Sequence, residues 1–233
     1  VTDFEIAWIL GLFSKNSNVC VRNCMKHTGI EAIDNSTAKW VLGSDEVGYG
    51  AWAGSLLVCS VLLPRTFNEP GIADSKTLSP TRRRTAYDRW TKTTPVTYKL
   101  VEFTSQQIDE IGVGEALIQA HRKALEALLP KAGPSCLIVV DGFQHGTSSL
   151  GIPGSIGLPK ADNLIPAVSL ASIIAKVTRD DMMVQAAQVY PGYGFAKHVG
   201  YGTREHAEAL KKLGPCPIHR RSYQPIKDLL ENA

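Results

Sequence analysis

Residues 39–63 read "KWVLGSDEVGYGAWAGSLLVCSVLL", and the fold turns on how that stretch divides. Two apolar runs, "KWVLGSDEV" and "SLLVCSVLL", flank a short glycine-rich segment, so they are expected to pair as two antiparallel strands. The first run ends on adjacent carboxylates, Asp45 and Glu46, where the strand leaves the core. Neighbours on a strand point to opposite faces, so one of the two acids must turn toward whatever covers the sheet. Gly48 and Gly50 then clear the side chains from the backbone beside them.

Outward from this hairpin, strands alternate with helices. "SPTRRRTAYDRWTK" predicts a helix with Ser79 as N-cap and Pro80 at its first position. "VTYKLVEFT" alternates as a strand does. "SQQIDEIGVGEALIQAHRKALEALL" reads as one long helix ending before Pro130, weakened by Gly112 and Gly114. "SCLIVVDG" has the continuous apolar run of a strand buried on both faces. "NLIPAVSLASIIAKVTRDDMMVQAAQVY" gives a further helix starting near Pro166. The expected class is α/β, a mixed central sheet flanked by helices. Residues 1–38 read separately, as a short helical N-terminal extension broken by "SKNSN".

Composition narrows the setting. A chain of 233 residues, 44% of them hydrophobic, has ample material for a core. The net charge of +3 is too small to imply nucleic acid by itself, so the placement of charge decides. Cations interleave with aromatic rings in "TRRRTAYDRWTKT" and "GPCPIHRRSYQPIK", as on a surface that meets a phosphate backbone. Five irregularly spaced cysteines argue against a disulfide framework, and Cys20 and Cys24 lack the second pair a zinc site needs. No apolar run approaches the roughly 20 residues of a membrane span, and "AWILGLF" is too short and wrongly flanked for a signal peptide. A cytoplasmic protein with reduced thiols is expected, with no membrane partner.

Three acidic elements sit awkwardly for a plain core. Asp45 and Glu46 are the first, and Asp141, at the carboxyl end of "CLIVV", is the second. The third is the pair Asp180–Asp181. At roughly 100° per residue, both fall within or beside the face formed by Leu170, Ile173, Ile174, Val177 and Val184. Ser172, Lys176 and Arg179 are expected to point away from it, and periodicity leaves the two aspartates tied. Carboxylates gathered at one strand-end cleft suit a hard divalent cation with oxygen ligands. Two such ions about 3.5–4 Å apart would clamp both oxygens of an in-line phosphoryl displacement.

The motifs "GSDEVGYGAWAG", "ADSKTLSPTRR", "VVDG", "KADNLIPAVSLASIIAKVTRDDMM" and "YPGYGFAKHVGYGTREHAEALKKLGPCPIHRRSY" occur in the order seen in the type 2 ribonucleases H. From Trp40 to Tyr223 the sequence resembles ribonuclease HII. The resemblance implies a ribonuclease H-like catalytic domain over residues 39–233, ending in a helical substrate-binding region. It also implies hydrolysis of RNA paired to DNA, or of ribonucleotides embedded in duplex DNA, by a monomer. Its acidic quartet falls on Asp45, Glu46, Asp141 and Asp180, and the implied cofactor is a pair of Mg2+ or Mn2+ ions. Substrate contacts are implied at Gly48, Tyr49, Gly50, Lys76, Lys197, His198 and Arg220, and Tyr201 matches the tyrosine that stacks beneath a sugar.

One position departs from the family. Gly48-Tyr49-Gly50 stands where Gly-Arg-Gly is usual, and a tyrosine cannot replace a guanidinium fork on phosphate. Ribonuclease HIII also lacks that arginine and favours RNA tracts, but it carries an N-terminal domain larger than residues 1–38 can form. A non-catalytic hybrid-binding module is a rival from another class. Retention of all four mutually repelling acids argues against it.

Overall fold

The computed structural model describes residues 33–69, 72, 78–143 and 147–231. Contact density separates Val1–Ser36 from Thr37–Ala233. The helical reading of the extension lies outside the described residues up to position 32, as do Cys20, Cys24 and "AWILGLF".

The two apolar runs form strands β1 (Trp40–Val47) and β2 (Leu56–Pro64), paired antiparallel with Asp45 opposite Cys59. β2 is buried from Leu56 to Leu63, so both of its faces are covered. β3 (Thr97–Phe103) pairs with β2, and β4 (Cys136–Asp141) runs parallel to β1. A fifth strand, β5 (Ser155–Leu158), completes the order β3-β2-β1-β4-β5. The sequence does not announce β5: "SIGL" has little apolar signal between glycines and prolines, and its pairing with β4 supplies what its composition does not.

Helix α1 (Pro80–Asp88) starts as the sequence predicts, with the Arg82 amide donating to Ser79 Oγ at 3.3 Å. The single long helix expected over 105–129 is three pieces: α2 (Ser105–Ile111), α3 (Val113–Glu126) and α4 (Leu129–Ala132). Gly112 adopts φ 82°, which breaks the ladder, and Pro130 falls inside α4, in the first turn where its missing N–H costs nothing. α5 (Pro166–Val189) is the central helix, followed by α6 (Phe195–His198), α7 (Arg204–Leu213) and α8 (Gln224–Glu231).

Strand alternation sends Cys59, Val61 and Leu63 to α5, where they pack on Ala167, Leu170, Ala171 and Ile174. Leu56 and Val58 face the alanine stripe Ala116, Ala120 and Ala124 of α3 on the other side. Gly43 sets how close α5 comes to β1: a Cβ there would lie 2.4 Å from the Val168 nitrogen. α6 to α8 gather around the far end of α5 through Met183, Tyr193, Phe195, Leu210 and Ile226. Cys59, Cys136 and Cys216 are free thiols, and no described helix is long and apolar enough to cross a membrane.

Candidate active site

β1 and β4 are parallel neighbours whose last paired residues are Ser44 and Val140. One step further on, Asp45 and Asp141 therefore leave adjacent strands at the same edge of the sheet. They line a cleft of about 290 Å³ together with Glu46, Arg83, Ser172 and Lys176. Close packing of α5 at Gly43 brings its Ser172–Lys176 turn over these acids.

Asp45 is only 4% exposed and points toward α5. Burial first, then the charges of Glu46 and Asp141, hold its carboxyl well above the usual carboxylate range. Hydrogen bonds from Ser172 and from the Glu46 amide, the latter at 2.8 Å, oppose that rise. Glu46, the alternate residue, faces α3, and its Oε2 lies 3.5 Å from His121 Nε2. Asp141, which lines the cleft, has its Oδ1 fixed by the Ala161 amide at 2.7 Å. Asp180 is one turn beyond the cleft lining, where Lys176 Nζ binds its Oδ1 at 2.7 Å. Asp181 is instead engaged by both terminal nitrogens of Arg84 on α1. The two aspartates differ in their partners: Asp180 shares a lysine with the cleft, and Asp181 is an ion pair on a half-exposed rim.

These residues fit a hard divalent cation. The donors are all carboxylate oxygens, one is buried against two like charges, and a cation would relieve that repulsion. Among the described residues no three Asp, Glu, His or Cys side chains stand close enough together, as they lie, to hold a metal ion by themselves. An open acidic cleft of this kind matches an ion that keeps part of its water.

The loop between β1 and β2 owes its shape to two buried arginines. Arg179, expected on the outer side of α5, is fully buried. It donates through Nε to Ser55 O (2.8 Å), through Nη1 to Val199 O (2.8 Å) and through Nη2 to Ala53 O (3.1 Å). Burial lowers its guanidinium to about 10. Val199, a β-branched residue at φ 43°, is held in that unusual conformation with its carbonyl on Arg179. Arg220, also fully buried, donates to Gly54 O (3.0 Å) and Tyr49 O (2.8 Å). Its guanidinium thus faces backbone carbonyls inside the protein. Gly48, at φ 88°, has no space for a Cβ, which would lie 2.3 Å from Arg179 Nε, so the glycine makes room for the arginine. Gly50 has open space where a Cβ would be, which leaves its backbone bare.

Tyr201 belongs to this assembly. Its ring lies 5.5 Å from the Arg179 guanidinium, and the preceding Gly200 carbonyl accepts the Trp52 amide at 2.8 Å. Tyr49 is 45% exposed at the loop tip. Lys197 is exposed beside Glu205. His198 is buried, its Nε2 meets Tyr193 O at 2.8 Å, and its ring stacks on His206 at 4.5 Å. Lys76 lies outside the described residues. Sequence reasoning missed Arg83, Ser172 and Lys176 as cleft residues. The signal for the latter two was a polar stripe at three- and four-residue spacing on a helix otherwise apolar.

Comparison with known proteins converges on one family. The profile of the family described as Ribonuclease HII matches residues 42–226. A Ribonuclease HII of Thermus thermophilus is 42% identical over 189 residues, covering 80% of this chain and 87% of that one. The crystal structure of the ribonuclease H2 from Pyrococcus horikoshii OT3 superposes with TM-score 0.66 at 26% identity, covering 83% of this chain and 98% of that one. Bst-RNase HIII in complex with Mn2+ shares the fold, with TM-score 0.66 at 19% identity over 87% of this chain and 72% of that one.

Proposed function

The chain belongs to the ribonuclease HII family, and from that premise we propose that this ribonuclease H cleaves both RNA strands paired to DNA and ribonucleotides embedded in duplex DNA. The observation that carries the reading is the convergence of Asp45, Glu46 and Asp141 in one cleft, with Asp180 tied to its wall through Lys176. Those four carboxylates would hold a pair of divalent ions, Mg2+ or Mn2+, the latter being the ion of the Bst-RNase HIII complex. When bound, such a pair supplies Lewis acidity at the scissile phosphate and a more acidic water.

The chain's own groups do the rest. Asp45, buried beside Glu46 and Asp141, belongs to a crowd of carboxylates whose mutual repulsion a bound cation would relieve. Lys176 and Arg83, both lining the cleft, balance charge where phosphate oxygens would enter. The arginine-clamped loop presents the bare backbone of Gly50 to the sugar, where amide and carbonyl groups can read the 2′-OH that distinguishes RNA from DNA. Tyr201 offers its ring to the neighbouring sugar, and the exposed Lys197 meets the backbone charge. Water adds to phosphorus and the P–O3′ bond breaks, leaving 5′-phosphate and 3′-hydroxyl ends.

A preference for RNA tracts over single ribonucleotides follows from exposed Tyr49 at the place of the usual arginine. Cleavage-site mapping on matched duplexes, one with a single ribonucleotide and one all-RNA, tests both parts. Tyr49→Arg should favour the single-ribonucleotide duplex by about 1.5–3 kcal/mol, roughly ten- to a hundredfold, with less gain on the tract. Failure to cut either duplex with Mg2+ or Mn2+ would overturn the activity. A natural protein that already prefers the single ribonucleotide would overturn the tract preference.

A further inference from the structure

His121 is a fully buried imidazole on the alanine-lined face of α3, where α3 packs on the sheet behind the acids. A polar ring at that depth needs partners for both nitrogens. Nδ1 lies 2.8 Å from Ser44 Oγ, on β1 immediately before the two carboxylates. Ser44 in turn accepts from Ser60 Oγ at 2.8 Å, across the β1–β2 pair. Nε2 has no hydrogen-bond partner, yet it stands 3.5 Å from Glu46 Oε2.

The hydroxyl protons set the direction of this chain. Ser60 donates to Ser44, and the competing acceptor of the Ser44 proton, Cys59 O, is more distant at 3.3 Å. With the nearer Nδ1 assigned as acceptor of the Ser44 proton, the remaining ring proton sits on Nε2, on the side of the Glu46 carboxylate. A movement of a few tenths of an ångström brings that pair within ordinary hydrogen-bond range. Phe143, two residues beyond Asp141, packs edge-on against the ring at 5.2 Å and 86°.

We propose that His121 is a positioning residue of the metal site: the buried Ser60–Ser44–His121 chain directs its Nε2 proton to Glu46 and orients that carboxylate for a cation. The proposal rests on Glu46 being a ligand, as the reading above has it. A hydrogen bond of this kind fixes which carboxylate oxygen stays free for the ion, and losing such a partner typically costs about tenfold or more in metal affinity. All three residues are fully buried.

Calorimetric titration of the metal-free, substrate-free protein with Mn2+ tests it. The amide nitrogen of Gln stands near the place of Nε2, whereas that of Asn stands near Nδ1. His121→Gln should bind Mn2+ as the natural protein does, while His121→Asn and His121→Leu should bind about tenfold more weakly. Ser44→Ala, which breaks the chain without altering the ring, should fall between them and decides the matter if the His121 variants do not fold. Unchanged affinity in Asn, Leu and Ala variants overturns the proposal, as does equal weakening in Gln and Leu, which would mark a packing role. Glu46→Gln is the control: if it too leaves Mn2+ affinity unchanged, the ligand assignment falls first.

Discussion

Replacing Arg179 by methionine separates a loop clamp from a phosphate ligand. The substitution keeps much of the stem volume and removes three donors, those to Ala53, Ser55 and Val199 carbonyls. A buried carbonyl left unpartnered costs about 1–3 kcal/mol, so three cost about 3–9 kcal/mol. Methionine also lifts the expense of burying a cation. A guanidinium lowered to about 10 from its ordinary range corresponds to roughly 3 kcal/mol. The expected net loss is centred near 3 kcal/mol, a large share of the ~5–15 kcal/mol typical of a domain. Urea unfolding in metal-free buffer measures it. Hybrid affinity over a salt series, with EDTA preventing cleavage, supplies the second readout. A clamp leaves the slope of log K against log salt unchanged, whereas a lost phosphate contact lowers it by about 0.9. A stability loss below about 1 kcal/mol together with a shallower slope would refute the clamp.

Two further outcomes follow from the site. Asp180→Asn should lower turnover in saturating Mg2+ by at least about a hundredfold, since metal stabilisation is worth several kcal/mol. Asp181→Asn should leave turnover within about threefold and cost under about 1 kcal/mol, because its Arg84 pair is nearly half exposed. Steady-state kinetics on both variants checks this, and equal losses would mean that the helix presents the other carboxylate. Asp45 makes a prediction in pH. Its folded carboxyl is raised, so the folded state binds that proton more tightly than the unfolded chain. In EDTA, its contribution favours folding at low pH and is lost as pH rises from the ordinary value near 4 through the folded one. Asp45→Asn should therefore gain stability relative to the natural protein as pH rises through that window. Parallel curves from thermal melts between pH 4 and 8 would count against the buried, crowded carboxylate.

How much of this was legible in the sequence follows from which neighbours a residue can see along the chain. β1, β2, α1 and α5 announce themselves through their own periodicity and caps, and Asp45, Glu46 and Asp141 through charges placed where strands end. β5 does not, because its four residues depend on β4 for their pairing, and the break at Gly112 does not, because a glycine within a helical pattern is usually tolerated. The arginines fail for a more instructive reason. A wheel drawn on α5 assumes one covered face, but this helix meets the sheet on one side and residues 53–55 and 199 on another, so a residue pointing away from the first is buried by the second. The family motif implies a phosphate contact for Arg220, whose guanidinium in the folded chain meets the loop carbonyls of Tyr49 and Gly54. A guanidinium can serve a carbonyl or a phosphate, so its letter in the sequence does not say which it meets. The deciding fact is three-dimensional: in the eight-residue loop 48–55, backbone amides meet the carbonyls of Gly48 and Trp52, whereas those of Tyr49, Ala53, Gly54 and Ser55 receive side-chain donors. Two buried cations supply them, and only Tyr49 and Gly50 are left exposed at the loop tip. Substrate discrimination at that tip is therefore expected to depend on what stands at position 49, on a frame that the arginines hold fixed.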